Sequence, residues 1–161
     1  MKKILALSAA LLLTVLSFAQ NGKSIYKTYS DASGVSAVYI SPAMFRLIGK
    51  LPEMEVNDND IDLSAIVKTL DGFYLIDSEN PKINNNLKKD VESFVKAGKY
   101  ELLMEVKDDG EIVHMYTVGT DTVIRSFVMI VYDGDECTFL CLDGEMSREQ
   151  FEAVVASAMQ D

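Results

Sequence analysis

Residues 107–142 read KDDGEIVHMYTVGTDTVIRSFVMIVYDGDECTFLCL. Three turn signals cut this stretch into apolar runs: DDG at Asp108–Gly110, GTD at Gly119–Asp121 and DGDE at Asp133–Glu136. Short acidic turns with glycine between runs rich in Val, Ile and aromatics signal β-hairpins. The spacing predicts strands at Tyr100–Lys107, Glu111–Val118, Thr122–Tyr132 and Cys137–Leu142, a four-stranded antiparallel meander filling the C-terminal half.

Side chains alternate across a strand, and opposite residues share a face. Pairing Lys107 with Glu111, Val118 with Thr122 and Tyr132 with Cys137 gives one almost wholly apolar surface. It runs through Leu102, Met104, Val106, Ile112, His114, Tyr116, Ile124, Ser126, Val128, Ile130, Cys137, Phe139 and Cys141, a bed for amphipathic helices. The opposite surface carries Glu101, Glu105 and Arg125 early, then Phe127, Met129, Val131, Leu140 and Leu142. Those last strands are therefore either covered on both sides or present a second apolar surface for binding, with Phe127, Met129 and Leu140 at its centre.

Outward from the meander, Ile83, Leu87, Val91, Phe94 and Val95 fall at helical spacing before Gly98, predicting a helix over Lys82–Ala97. Val35–Ile40 (VSAVYI) and Phe73–Ile76 (FYLI) read as strands. Ser41 and Pro42 open a helix to about Lys50 as cap and first-turn proline. Shorter helices are expected over Lys23–Ser30 and Leu63–Leu70. At the C-terminus Ser147 and Gln150 have capping-box spacing ahead of Phe151, Val154, Val155, Ala158 and Met159 on one face. The expected fold is α+β, a mixed sheet with helices packed mainly on one face.

The first residues, MKKILALSAALLLTVLSFAQ, place Lys2 and Lys3 before an apolar run and a small-residue site, the layout of a signal peptide cleaved after Ala19. The run is shorter than the roughly 20 residues of a bilayer span. Residues 20–161 then form a single domain, periplasmic or secreted, with no stable membrane insertion and no lipid-bearing cysteine. Losing that leader leaves 13 basic against 25 acidic side chains. Such a field disfavours nucleic acid and anionic surfaces.

Catalytic and cofactor chemistry find few residues. Cys137 and Cys141, four apart on a strand, lie about 13 Å from each other, beyond the roughly 7 Å reach of a disulfide, and CTFLC supplies no further metal ligands. They read as packed thiols. His114 is the only histidine; a Ser126–His114 pair is conceivable, but the expected register sends Glu105 to the other face and no nucleophile elbow is present. Asp58, Asp60 and Asp62 begin like a calcium loop, but Leu63 and Thr69 stand where its glycine and glutamate belong. Asp108, Asp109 and Glu111, like Asp133, Asp135 and Glu136, are turn residues. No catalytic residue, cofactor or metal site is assigned.

Lys27–Lys50 (KTYSDASGVSAVYISPAMFRLIGK) and Ile61–Asn80 (IDLSAIVKTLDGFYLIDSEN) resemble the exported bacterial family called domain of unknown function 4252, of Bacteroidetes type. The matching positions are Gly34, Val35, Val38, Tyr39, Ile40, Ser41, Met44 and Phe45, then Leu70, Gly72 and Tyr74, with Ile76 where the family pattern has leucine. The resemblance implies a leader, a short helix, a helix and a β-meander, and brings no catalytic residues. Many members carry a lipoprotein cysteine that this chain lacks. The expectation is an exported, non-catalytic domain that binds another envelope or secreted protein, in envelope regulation or surface assembly. The alternatives are a periplasmic binder of small ligands or cations and, third, a hydrolase using His114.

Overall fold

The computed structural model describes residues 21–48 and 66–158. Four helices and six strands follow in the order α1 (Gly22–Tyr29), β1 (Val35–Ile40), α2 (Pro42–Ile48), β2 (Leu70–Ser78), α3 (Pro81–Ala97), β3 (Glu101–Asp108), β4 (Glu111–Gly119), β5 (Val123–Tyr132), β6 (Cys137–Ser147) and α4 (Arg148–Ala158). The expected leader and the Asp58/Asp60/Asp62 segment lie outside the described residues. So do residues 63–65 of the expected helix over 63–70; Ile66 and Val67 are helical, and Leu70 already opens β2.

The six strands form one sheet in the order β1-β2-β6-β5-β4-β3. Every pairing is antiparallel, which corrects the expected mixed sheet. The reason lies in the connections: β2 lies antiparallel beside β1, and α3 carries the chain from β2 to the far edge at β3 instead of crossing back to a parallel neighbour.

The hairpin registers follow from turn chemistry. Asp109 and Gly110 both take positive φ, 42° and 98°. Two such residues make the two-residue turn that matches the strand twist, so Asp108 pairs with Glu111. The expected partner, Lys107, assumed a turn one residue longer. Between β5 and β6 the carboxylate of Asp133 accepts the amides of Asp135 at 2.9 Å and Glu136 at 2.7 Å, and Tyr132 pairs with Cys137 as expected. Between β4 and β5, Val118 pairs with Ser126 instead of Thr122, and Gly119 with Ile124, leaving Arg125 as an extra, exposed residue.

Two of the described helices lie on each face, where the sequence places them mainly on one. On one face Leu87, Val91, Phe94 and Val95 of α3 and Ile25 and Tyr29 of α1 pack on Tyr74, Ile76, Val128, Ile130, Cys137, Phe139 and Cys141. Asn80 caps α3 by accepting the Lys82 amide, with Pro81 at the first turn. Asn84, unremarked in the sequence reading, is wholly buried on that helix and donates to the Asp135 carbonyl at 2.6 Å, tying α3 to the β5–β6 turn. Tyr29 donates to Asp90 at 2.6 Å and joins α1 to α3.

On the other face Phe45 of α2, Ile66 and Phe151 of α4 gather over Leu70, Ile124, Phe127 and Met146. Ser147 accepts the Gln150 amide at 3.5 Å at the start of α4. Of the face expected on α4, Phe151 is buried; the side chains of Val154, Val155, Ala158 and Met159 lie outside the described residues.

Candidate functional site

Three groupings of side chains deserve weighing as sites. The first surrounds His114. An extra residue, Leu103, is inserted in β3 between Leu102, which faces Tyr116, and Met104, which faces Met115. Glu105 stands opposite His114, on the same face, because the two-residue turn pairs Asp108 with Glu111 and shifts Met104–Asp108 by one residue from the expected register; beyond the bulge Leu102 again shares the face of Tyr116. This corrects the expectation that Glu105 points away. Glu105 Oε2 is 2.7 Å from His114 Nε2, and Lys107 donates to Glu105 Oε1 at 2.8 Å. In the tautomer whose Nε2–H donates to the carboxylate, His114 accepts the Tyr116 hydroxyl through Nδ1 at 3.1 Å.

This chain ends on a hydroxyl that is held from ionising: burial first, then Glu92 and Glu105, push the Tyr116 pKa up. Nucleophilic activation needs the opposite shift. Ser126 is no partner either. It stands opposite Val118, four residues along β4 from His114, a separation of roughly 13 Å.

The second grouping gathers at the start of α1. Ser126 accepts the Tyr100 hydroxyl at 2.9 Å and lies 3.6 Å from Cys141 Sγ, which donates to Asp143 at 3.4 Å. The Gly22 amide and the Ser126 hydroxyl also turn to Asp143. Burial nevertheless raises the Asp143 pKa, with Asp71 adding to it. A Cβ on Gly22 would stand 2.7 Å from that of Cys141, so the helix can seat its first turn here only with glycine. The cluster is a closed polar knot joining α1 to the sheet. Cys137 and Cys141 are both free and wholly buried. Burial pushes the Cys137 thiol up to about 12 and Cys141 well above its ordinary range, the state of packed thiols and not of reactive ones.

The third grouping is a surface. On the sheet face beneath α2 and α4, one cross-strand row runs Val38, Leu75, Leu140, Met129, Met115, Met104, apolar on all six strands. Five of the six are half-buried and Val38 is 43% exposed. The next row towards α4 is closed over: Phe127 is buried, its ring 5.1 Å from that of Phe151. Of the three residues expected at an interaction surface, Met129 and Leu140 are adjacent in this row, while Phe127 lies under α4. Met104 falls on the opposite face in the expected register, because pairing Lys107 with Glu111 assumes a turn one residue longer.

A shallow cleft of about 190 Å³ between α1 and α3 is lined by Ser24, Ile25, Thr28, Asp90 and Ser93. It is small beside the roughly 300–1,000 Å³ of ligand pockets. Among the described residues no cluster of three His, Cys, Asp or Glu side chains could hold a metal ion, and no helix is long and apolar enough to cross a membrane.

A family model described as "Domain of unknown function (DUF4252)" matches residues 29–154. The chain belongs to the DUF4252 family. That span takes in β1 to β6 and most of α4, so the methionine row, the His114 cluster and the Asp143 knot all lie within the DUF4252 domain. No curated protein and no solved structure matches the chain.

Proposed function

We propose that this DUF4252 domain is an exported, non-catalytic interaction domain that receives an envelope or secreted protein on its methionine row, in envelope regulation or surface assembly. The observation that carries the reading is the alignment of Met104, Met115 and Met129 on three adjacent strands, continued by Leu140, Leu75 and Val38. Methionine is flexible and polarisable, and surfaces built from it adapt to apolar partners. On the same side of the sheet, α2 adds Met44 and Leu47, exposed at 48% and 59%. With a net charge of −10, the chain suits a partner whose apolar contact is rimmed by basic side chains.

The test is crosslinking in the native host through a photoreactive residue at Met115, with identification of the captured protein. Met129→Asp should abolish capture while Lys89→Glu, on exposed α3 surface, should not. Undiminished capture by a normally folded Met129→Asp protein would overturn the placement.

A further inference from the structure

We infer that β3 is a self-association edge, and that two copies of this chain join there about a two-fold axis through Val106. Among the described residues β3 ends the sheet, and seven of its eight residues are exposed, among them Leu102 at 49%, Leu103 at 44% and Val106 at 42%. An unpaired strand edge with apolar side chains is a template for a further strand. The Leu103 bulge disrupts its first half, but Met104–Asp108 is regular and pairs residue for residue with β4.

Charge selects the partner and the register. A two-fold axis perpendicular to the sheet continues each face onto itself, so residues opposite each other must share a face. An axis at Glu105 sets glutamate against glutamate, and one at Lys107 sets lysine against lysine. An axis at Met104 would pair through the bulge. An axis at Val106 places Glu105 of each copy opposite Lys107 of the other, twice by symmetry, and opposite charges facing each other stabilise a strand pair. The same axis extends a row already in place. Val106 faces Val113, and Val113 faces Val131, so the three-valine row of one copy would run straight into that of the second. The other edge, β1, reads VSAVYI and has no charge with which to choose a register.

The product is one continuous antiparallel sheet carrying two methionine rows on the same face. The inference stands on β3 alone and does not depend on what the methionine row binds.

Sedimentation velocity of the purified protein over a wide concentration range tests it. The expected result is a dimer that weakens with added salt, as exposed ion pairs do. Lys107→Glu sets like charges opposite and should raise the dimer dissociation constant by more than about tenfold. Glu105→Lys combined with Lys107→Glu restores opposite pairing and should recover the dimer. Far-UV circular dichroism establishes that each variant is folded, and Met129→Asp should leave the dimer unchanged. A monomer at every concentration overturns the inference. So does a dimer indifferent to Lys107→Glu, or one lost on Met129→Asp, which would move the contact to the sheet face.

Discussion

Glu105 and His114 face each other across the β3–β4 ladder with 2.7 Å between Oε2 and Nε2. The pair follows from the two-residue turn at Asp109 and Gly110: with Asp108 opposite Glu111, Glu105 falls opposite His114. Glu105 is held below the ordinary glutamate range, first by the Lys107 hydrogen bond and then by His114. A depressed carboxylate stabilises the fold above its unfolded pKa, and the contribution disappears as pH falls through the folded value. Carboxyl-detected NMR titration should find Glu105 titrating below a free glutamate. Lys107→Met should raise its pKa further than His114→Phe does. Equal effects would mean that the lysine is not the principal partner.

Asp143 presents the reverse sign. Its pKa is raised because burial outweighs the donors from Ser126, Cys141 and Gly22. A raised carboxyl stabilises the fold below its unfolded pKa and loses that contribution as pH rises through its folded one. The charged form is the one that burial in the knot disfavours. Asp143→Asn should gain stability relative to the natural chain as pH rises from the acid range to neutrality, followed as the difference between their melting temperatures. A variant that instead loses ground on going to neutral pH would show that the three donors win over desolvation.

The two thiols give a kinetic readout of the same core. Cys137 and Cys141 are wholly buried, with thiolates disfavoured by desolvation. In native protein neither should react with a disulfide reagent except through opening of the α1–α3 layer, and the labelling rate should rise with denaturant in step with unfolding. Fast labelling of either thiol under native conditions would place it outside the core described above.

The two sheet faces were legible to different degrees in the sequence. Alternation located β4, β5 and β6, and Val128, Ile130, Cys137, Phe139 and Cys141 share a face as expected, but the extra Arg125 in β5 turns Ile124 to the other face. For β3 one residue of turn length decides the face of every side chain from Met104 to Asp108, and the stretch Asp108–Gly110 reads equally well as a turn of three residues or of two. That is why the Glu105–His114 contact and the Met104–Met115 step of the surface row emerge only from the fold. Likewise, Met129 and Leu140 read as a second apolar face, but no local signal says that α4 covers Phe127 and stops short of them. Coverage is a long-range property set by where α4 leaves β6.

Phe151 decides how large the open surface is. Its ring meets Phe127 at 5.1 Å and is 6% exposed, so it acts as a lid of fixed position on one end of the apolar face. Truncating a buried phenylalanine typically costs about 3–5 kcal/mol through lost burial and the cavity left behind. Phe151→Ala should therefore lower the urea midpoint sharply and, by uncovering Phe127, increase the binding of an environment-sensitive apolar dye to the native state. Phe151→Leu retains much of the cover and should cost less on both measures. The two readouts separate two roles: a large stability loss without new dye binding would mean that the sheet face closes up around the vacancy, whereas new dye binding with little stability loss would mean that α4 rests on the sheet without anchoring it. Both changes together are expected, because Phe127, under this ring, lies on the same face of β5 as Met129, which pairs with Leu140 in the half-buried row.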